Sequence, residues 1–396
     1  MTQSSKPSIL FAPLVTAGNS TQLCSVLQKR GYCADGIDYF PNYLGYKSSI
    51  MRPLTIPVEE FADTAFEIAL KYDVIVLDFM CSFYNFPPLG IAFHPDRPLY
   101  EDVEKLRKKG KTVLMSVWGS DVRAQSHLHW WYLYYNGVDC PRPPQQTPTQ
   151  RKLIERLDPL LSGWLVPPSL KSLTPRAAPY WDTGLLLDEW PLRNEDEIED
   201  YVVVAATDRR KKNFGIIEDA CKGKEFRLIE GRPRSEVLEL TKHARVAFPH
   251  ATGTYGLFAV ECMAQGIPVV CGYDFALKQE HRDEAPLFFF DLPKHAKGVV
   301  ELAWGRGVIT PKEMRDFVNE YHNIERLATI LENYLEEGTF PQEENASYPD
   351  STAGELSYYD IAIPYFAMNR LRERAMRDIQ EATEHGKEVR QFAHLI

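Results

Sequence analysis

One stretch, Arg245 to Gly272 (RVAFPHATGTYGLFAVECMAQGIPVVCG), constrains this chain more than any other. An apolar, β-rich run, RVAF, enters a loop of small residues, HATGTYG, and that loop opens into a helical pattern, LFAVECMA. Gly266 stands where a helix stops, Pro268 forbids its continuation, and VVCG reads as the next buried strand. Strand, helix and strand in that order make a βαβ unit, parallel and right-handed.

Inside the helix Glu261 is flanked by Leu257, Phe258, Val260, Met263 and Ala264. A carboxylate on the apolar face of a buried helix is expensive unless something polar meets it. Its partner is either protein, a nearby Arg or a helix terminus, or a ligand. The loop favours a ligand, because Gly253, Thr254, Tyr255 and Gly256 let an anion approach backbone amides at the N-terminus that Leu257 begins. Together they suggest a phosphorylated ligand with a hydroxylated part nearby.

Upstream, continuous apolar runs alternate with helical patterns. Ser8–Pro13, Ala34–Tyr39, Asp73–Phe79 and Lys111–Val117 read as strands, and Thr21–Arg30, Val58–Lys71 and Leu99–Lys109 as helices. This alternation argues a parallel sheet covered on both faces. Gly18 lies in the small-residue loop after the first strand. The fourth strand ends in Trp118-Gly119-Ser120-Asp121-Val122-Arg123, at the edge where open α/β sheets bind ligands. Gly-Ser-Asp serves equally well there as a turn with a helix N-cap. His127 and His129, beside Trp130, Trp131, Tyr132, Tyr134 and Tyr135, do not share a helical face or have an acidic partner at ligand spacing. The aromatics read as packing, or alternatively as stacking surfaces for a sugar. Val138–Thr149 is Pro-rich and reads as a loop, Ser162–Pro168 as a strand, Ser169–Leu173 as a short helix, and the acidic Asp188–Asp200 as a domain boundary.

A second α/β series begins at Tyr201. Its first strand is followed by Thr207-Asp208-Arg209-Arg210-Lys211-Lys212-Asn213 and then a helix from Phe214 to Cys221. Such a basic cluster is usually a solvated face. After a strand and before a helix N-terminus, however, its charges repel one another at the ligand edge unless an anion relieves them. Phe226–Glu230 is the next strand, and Gly231 ends it at the same edge. Ser235–His243 is a helix, LFFFD at Leu287–Asp291 is strand-like, Pro311–Glu336 forms helices, and Leu356–Gly386 reads as one or two long helices.

The central stretch resembles the donor-site signature of family-4-type retaining glycosyltransferases of the GT-B fold. Pro249, Gly253, Thr254, Tyr255, Gly256, Glu261, Met263, Ala264, Gly266, Pro268 and Val269 follow the family's order. The resemblance implies an α/β protein with two Rossmann-like parallel-sheet domains facing across a cleft. Residues 1–190, completed by C-terminal helices over 356–396, would form the acceptor domain, and residues 199–340 the nucleotide-sugar donor domain. The family's Arg-x-x-Lys pattern falls on Arg209 and Lys212, which would hold the donor diphosphate, a task to which bidentate Arg and point-charge Lys are suited. Glu261 would meet the ribose, and Gly119, Ser120 and Asp121 would be cleft residues, with Asp121 touching substrate. Arg209, Lys212 and Asp121 are thus the catalytic candidates, and Glu261, Gly253, Thr254, Tyr255, Gly256, Leu257, Gly231 and Gly18 those for binding the nucleotide sugar. The implied reaction retains anomeric configuration and requires no metal or cofactor, because the basic clamp takes that role.

Two positions depart from the pattern. The first acid of the family's Glu-x7-Glu pair falls on Gly253, and Trp118 stands where the family often has His. The resemblance therefore supports nucleotide binding better than a particular sugar. It leaves open a nucleotide-sugar binding protein, or another GT-B activity such as epimerisation. The acceptor stays open between a small molecule, a glycan and a modified macromolecule.

Composition narrows the setting. At 396 residues and 44% apolar, the chain holds two full cores. A net charge of −10 argues against a broad basic face for nucleic acid or anionic lipid. Seven scattered cysteines without a CxxC pair fit a reducing cytoplasm. The apolar run near the N-terminus is too short for a signal peptide and reads as the first strand, and no stretch approaches the roughly 20 apolar residues of a membrane span.

Overall fold

The computed structural model describes residues 6–16, 18–40, 48–53, 55–124, 145–179, 181–205, 214–251, 255–272, 285–290, 293–305, 309–345 and 348. They belong to two compact units: one made from residues up to Ala124, Gln145–Trp181 and residues from Leu327 onward, the other from Asp182–Arg326.

The first unit is built on six parallel strands: β1 (Ile9–Ala12), β2 (Ala34–Asp38), β3 (Ile50–Met51), β4 (Val74–Asp78), β5 (Thr112–Ser116) and β6 (Gly163–Leu165). Their order is β3-β2-β1-β4-β5-β6, that of a Rossmann fold, and chain order reverses between β1 and β4. The connecting helices are α1 (Asn19–Lys29), α2 (Val58–Ala69), α3 (Glu101–Lys108) and α4 (Pro148–Leu157). ILFA and VIVLD are buried along their whole length because helices cover both faces, which is why these strands lack polar alternation.

The second unit carries β7 (Glu199–Ala205), β8 (Glu225–Ile229), β9 (Ala244–His250), β10 (Val269–Gly272) and β11 (Phe288–Phe290), parallel and ordered β8-β7-β9-β10-β11. Around them run α5 (Phe214–Ala220), α6 (Arg234–Lys242), α7 (Leu257–Ala264), α8 (Ala296–Trp304) and α9 (Pro311–Tyr321). Successive residues of β7 serve opposite faces. Tyr201 and Val203 pack into one apolar cluster with α7 and α9, and Val202 and Val204 into another with α5 and α8. Helix α10 (Ile324–Glu337) follows.

The structure departs from the sequence reading at several places. The Pro-rich stretch was expected to remain a loop through Thr149, but a helix begins at Pro148. Thr147 and Gln150 form a capping box there, with Pro at a position that needs no N–H donor. The two-residue edge strand β3 and helix α8 were not anticipated, whereas the helices expected from Pro311 are present as two, parted at His322 and Asn323. The long helices expected over 356–386, and His127, His129 and their aromatic neighbours, lie outside the described residues.

Gly266 ends α7 with φ 73°, and a Cβ there would lie 2.6 Å from Pro311 Cβ and 3.1 Å from its Cα. Left-handed backbone alone costs a β-carbon residue about 1–2 kcal/mol. Because backbone and a proline ring cannot swing aside, Gly266→Ala should lose at least that much. The check is the urea midpoint, and an unchanged midpoint would contradict this account of the α7–α9 packing.

Candidate functional site

Parallel strands end at one edge, so the residues following them are gathered there. In the second unit α7 is buried over most of its length: Ala259, Val260, Cys262, Met263 and Ala264 are fully buried. Glu261 shares this environment at 6% exposure. Its protein partner is Arg234, the first residue of α6, whose guanidinium lies 3.8 Å away, within ion-pair range but beyond a hydrogen bond. Arg234 also meets Glu189 at 3.3 Å and covers the Trp190 ring at 4.9 Å. The open question about Glu261 thus gains a definite protein component, and Arg234, next to the expected Ser235 start of its helix, is a site residue the sequence reading missed. Burial pushes the Glu261 carboxyl up to about 7, opposed by Arg234.

Gly256 is the extended N-cap of α7 and Leu257 its first residue. The side chain of His250, at the end of β9, approaches Gly256, its Nε2 lying 3.7 Å from where a Cβ would stand. Tyr255 turns inward, 1% exposed, with its hydroxyl 3.1 Å from His322 Nε2. Gly231 follows β8 with φ 61°, and Gly18 precedes α1 with φ 73°. Arg209, Lys212, Gly253 and Thr254 lie outside the described residues.

In the first unit the corner after β5 turns on Asp121. The Asp121 carboxylate accepts the backbone N–H of Gly119 at 2.6 Å and of Trp118 at 3.1 Å, and the residue is 1% exposed. It holds the turn through N–H groups that precede it, so its own carboxylate faces inward rather than outward, and the helix it was expected to cap lies outside the described residues. Ser120 is exposed, and its carbonyl accepts a bond from Gln150 Nε2 at 3.0 Å.

Beside this corner lies Asp78, the last residue of β4, at the point where chain order reverses. Asp78 accepts bonds from the Trp118 indole N–H and from the Thr16 backbone N–H. Burial raises its carboxyl to about 7 and that of Asp121 to about 6. Phe79 and Met80 follow with φ of 58° and 56°, a left-handed pair of non-glycine residues of the kind that concentrates at functional sites. A small cavity of about 10 Å³ there is lined by Asn19, Ser20, Asp78, Ser116, Trp118 and Trp181 among others. Ser116 Oγ and Trp181 Nε1 have no hydrogen-bond partner among the described residues. Asp78 was invisible in sequence because it ends an ordinary apolar strand.

Comparison of the backbone with solved structures places this architecture. A sucrose-phosphate synthase from Thermosynechococcus elongatus superposes with TM-score 0.56 at 14% identity, over 84% of this chain and 98% of that one. HepE of Anabaena, solved with UDP and glucose, gives 0.55 at 10% identity, over 84% of this chain and all of that one. An alpha-glucosyltransferase solved with UDP and a DNA containing an HMU base gives 0.52 at 10% identity, with the same coverage. The chain has the GT-B fold. No protein-family model matches the sequence, and no curated protein does. Among the described residues no helix is long and apolar enough to cross a membrane.

The titration of Glu261 is a direct handle on the site. Folded protein keeps this proton to about pH 7, whereas the ordinary value is 4.5, so deprotonation opposes folding. The stability contributed by Glu261 is therefore full at acid pH and falls as pH climbs through that window, by on the order of 3 kcal/mol at most. Glu261→Gln should flatten this part of the stability–pH profile and bring the melting temperature at pH 8 to or above that of the unsubstituted chain. An unchanged slope would mean that Glu261 is not the desolvated acid.

Proposed function

We propose that the chain is a glycosyltransferase that moves a sugar from a nucleotide diphosphate sugar to a hydroxyl-bearing acceptor with retention of configuration. The second unit serves as the donor domain and the first as the acceptor domain. The observation that carries this reading is Glu261, a desolvated acid midway along α7, on a GT-B frame, held at 3.8 Å by a single guanidinium. An acid in that state retains acceptor capacity for the two hydroxyls of a ribose. UDP is the first nucleotide to test, because HepE and the alpha-glucosyltransferase were solved with it.

On this reading Arg209 and Lys212 clamp the diphosphate. The acceptor oxygen bonds to the anomeric carbon as the carbon–oxygen bond to the diphosphate breaks. The electron pair leaves with the diphosphate, which takes the acceptor's proton. The two cations stabilise the charge that develops, so turnover should persist in excess chelator. Asp121 acts by fixing the Trp118–Gly119 corner. A second reading, nucleotide-sugar binding with altered chemistry, is favoured by Gly253, which offers a hydrogen where the resembling family offers a carboxylate.

Calorimetry with UDP, GDP, TDP and ADP, followed by their sugars and an acceptor panel, separates the two. One nucleotide should bind, Arg209→Ala should weaken it roughly ten- to hundredfold, and Glu261→Gln about tenfold. Unchanged affinity in Arg209→Ala removes the phosphate clamp. Tight binding without transfer or hydrolysis favours the second reading.

A further inference from the structure

Tyr255 stands directly before the first turn of α7, yet its side chain runs into the core. Its ring meets that of His322 edge-on with centroids 5.7 Å apart, and its hydroxyl lies 3.1 Å from His322 Nε2. His322 is fully buried at the C-terminal end of α9. Its other ring nitrogen, Nδ1, lies 3.0 Å from the Thr183 carbonyl oxygen. A carbonyl only accepts, so Nδ1 carries the proton. In the neutral form of such a ring Nε2 accepts and the Tyr255 hydroxyl donates to it.

His322 is itself fixed from several sides. Its backbone N–H donates to the Val318 carbonyl at 2.8 Å, and its carbonyl accepts the Leu185 N–H at 2.7 Å. Ile324 N–H in turn donates to the Leu185 carbonyl at 3.1 Å. The Phe317 ring packs on the imidazole, with centroids 5.7 Å apart. The imidazole therefore cannot turn without breaking a bond at one end or the other. A phenylalanine would fill the same space as Tyr255. A buried hydroxyl, by contrast, is stable only with a partner in one direction, and so fixes where the ring and the backbone carrying it must lie.

We propose that His322 is a positioning residue of the donor site: through Tyr255 it sets the backbone of Tyr255 and Gly256, and hence the aim of the amides that open α7 toward the donor's diphosphate. This rests on the nucleotide reading of that helix end. Contacts from backbone N–H groups to phosphate depend on position to within fractions of an ångström, and a side chain locked at both ends supplies that precision.

The test measures UDP binding by calorimetry, with urea midpoints alongside, for the unsubstituted chain, Tyr255→Phe, His322→Gln and His322→Leu. A glutamine amide can donate to Thr183 and still accept from Tyr255, whereas leucine can do neither. Tyr255→Phe and His322→Leu should each lose about five- to tenfold in UDP affinity, with His322→Gln within about twofold of the unsubstituted chain. If His322→Leu does not fold, Tyr255→Phe against His322→Gln decides. Variants that are less stable but bind UDP equally well would overturn the positioning role and leave the nucleotide site standing. An unsubstituted chain that binds none of UDP, GDP, TDP and ADP would overturn the nucleotide reading, and this proposal with it.

Discussion

A parallel sheet covered on both faces delivers the end of every strand to one edge, and it does so only if nearly everything along the strands is apolar. Polar groups that the chain retains near that edge therefore sit against a dry interior. Asp78, Asp121 and Glu261 are 6%, 1% and 6% exposed. For all three, loss of water is the largest influence on the carboxyl and raises its proton affinity. The same burial that makes the sheets stable makes these acids chemically distinctive.

What differs is how each acid is compensated. Asp121 is bound by two backbone amides within its own turn. Asp78 is bound by an indole and an amide from two other segments. Glu261 has a guanidinium at 3.8 Å, and its carboxylate has no hydrogen-bond partner among the described residues. A structural acid ends up looking like Asp121, because backbone donors placed close by the fold are the least expensive remedy for desolvation. Glu261 departs furthest from that pattern, being met by an ion pair from another helix rather than by backbone donors of its own turn.

The sheet-and-helix alternation was legible because parallel strands buried on both faces leave long apolar runs, and because Gly266 and Pro268 punctuate the chain where the backbone must turn. Short elements were not. β3 spans two residues, and the Thr147 capping box was hidden inside a run of prolines. The candidate site was legible where an isolated polar residue interrupts an apolar helix, as Glu261 does. It was illegible where the residue closes a strand, as Asp78 does, or where its partner comes from another corner, as Arg234 and His322 do. Tyr255 shows the limit of motif reading: its position was recognised, but the direction of its side chain depends on a histidine 67 residues further on.

Trp118 shows what an indole in place of an imidazole does to local chemistry. An imidazole can take up or release a proton near neutrality, whereas an indole N–H only donates a hydrogen bond. Here that bond is directed at Asp78, which also accepts from Thr16. Both contacts favour the ionised carboxylate while burial disfavours it, and the carboxyl settles near neutrality. Titration at this corner therefore lies with an acid, one whose two oxygens are already engaged by protein donors. An acid so engaged is better suited to hold the corner rigid than to remove a proton from an incoming hydroxyl. On the proposed reaction, this favours the departing phosphate as the group that takes that proton.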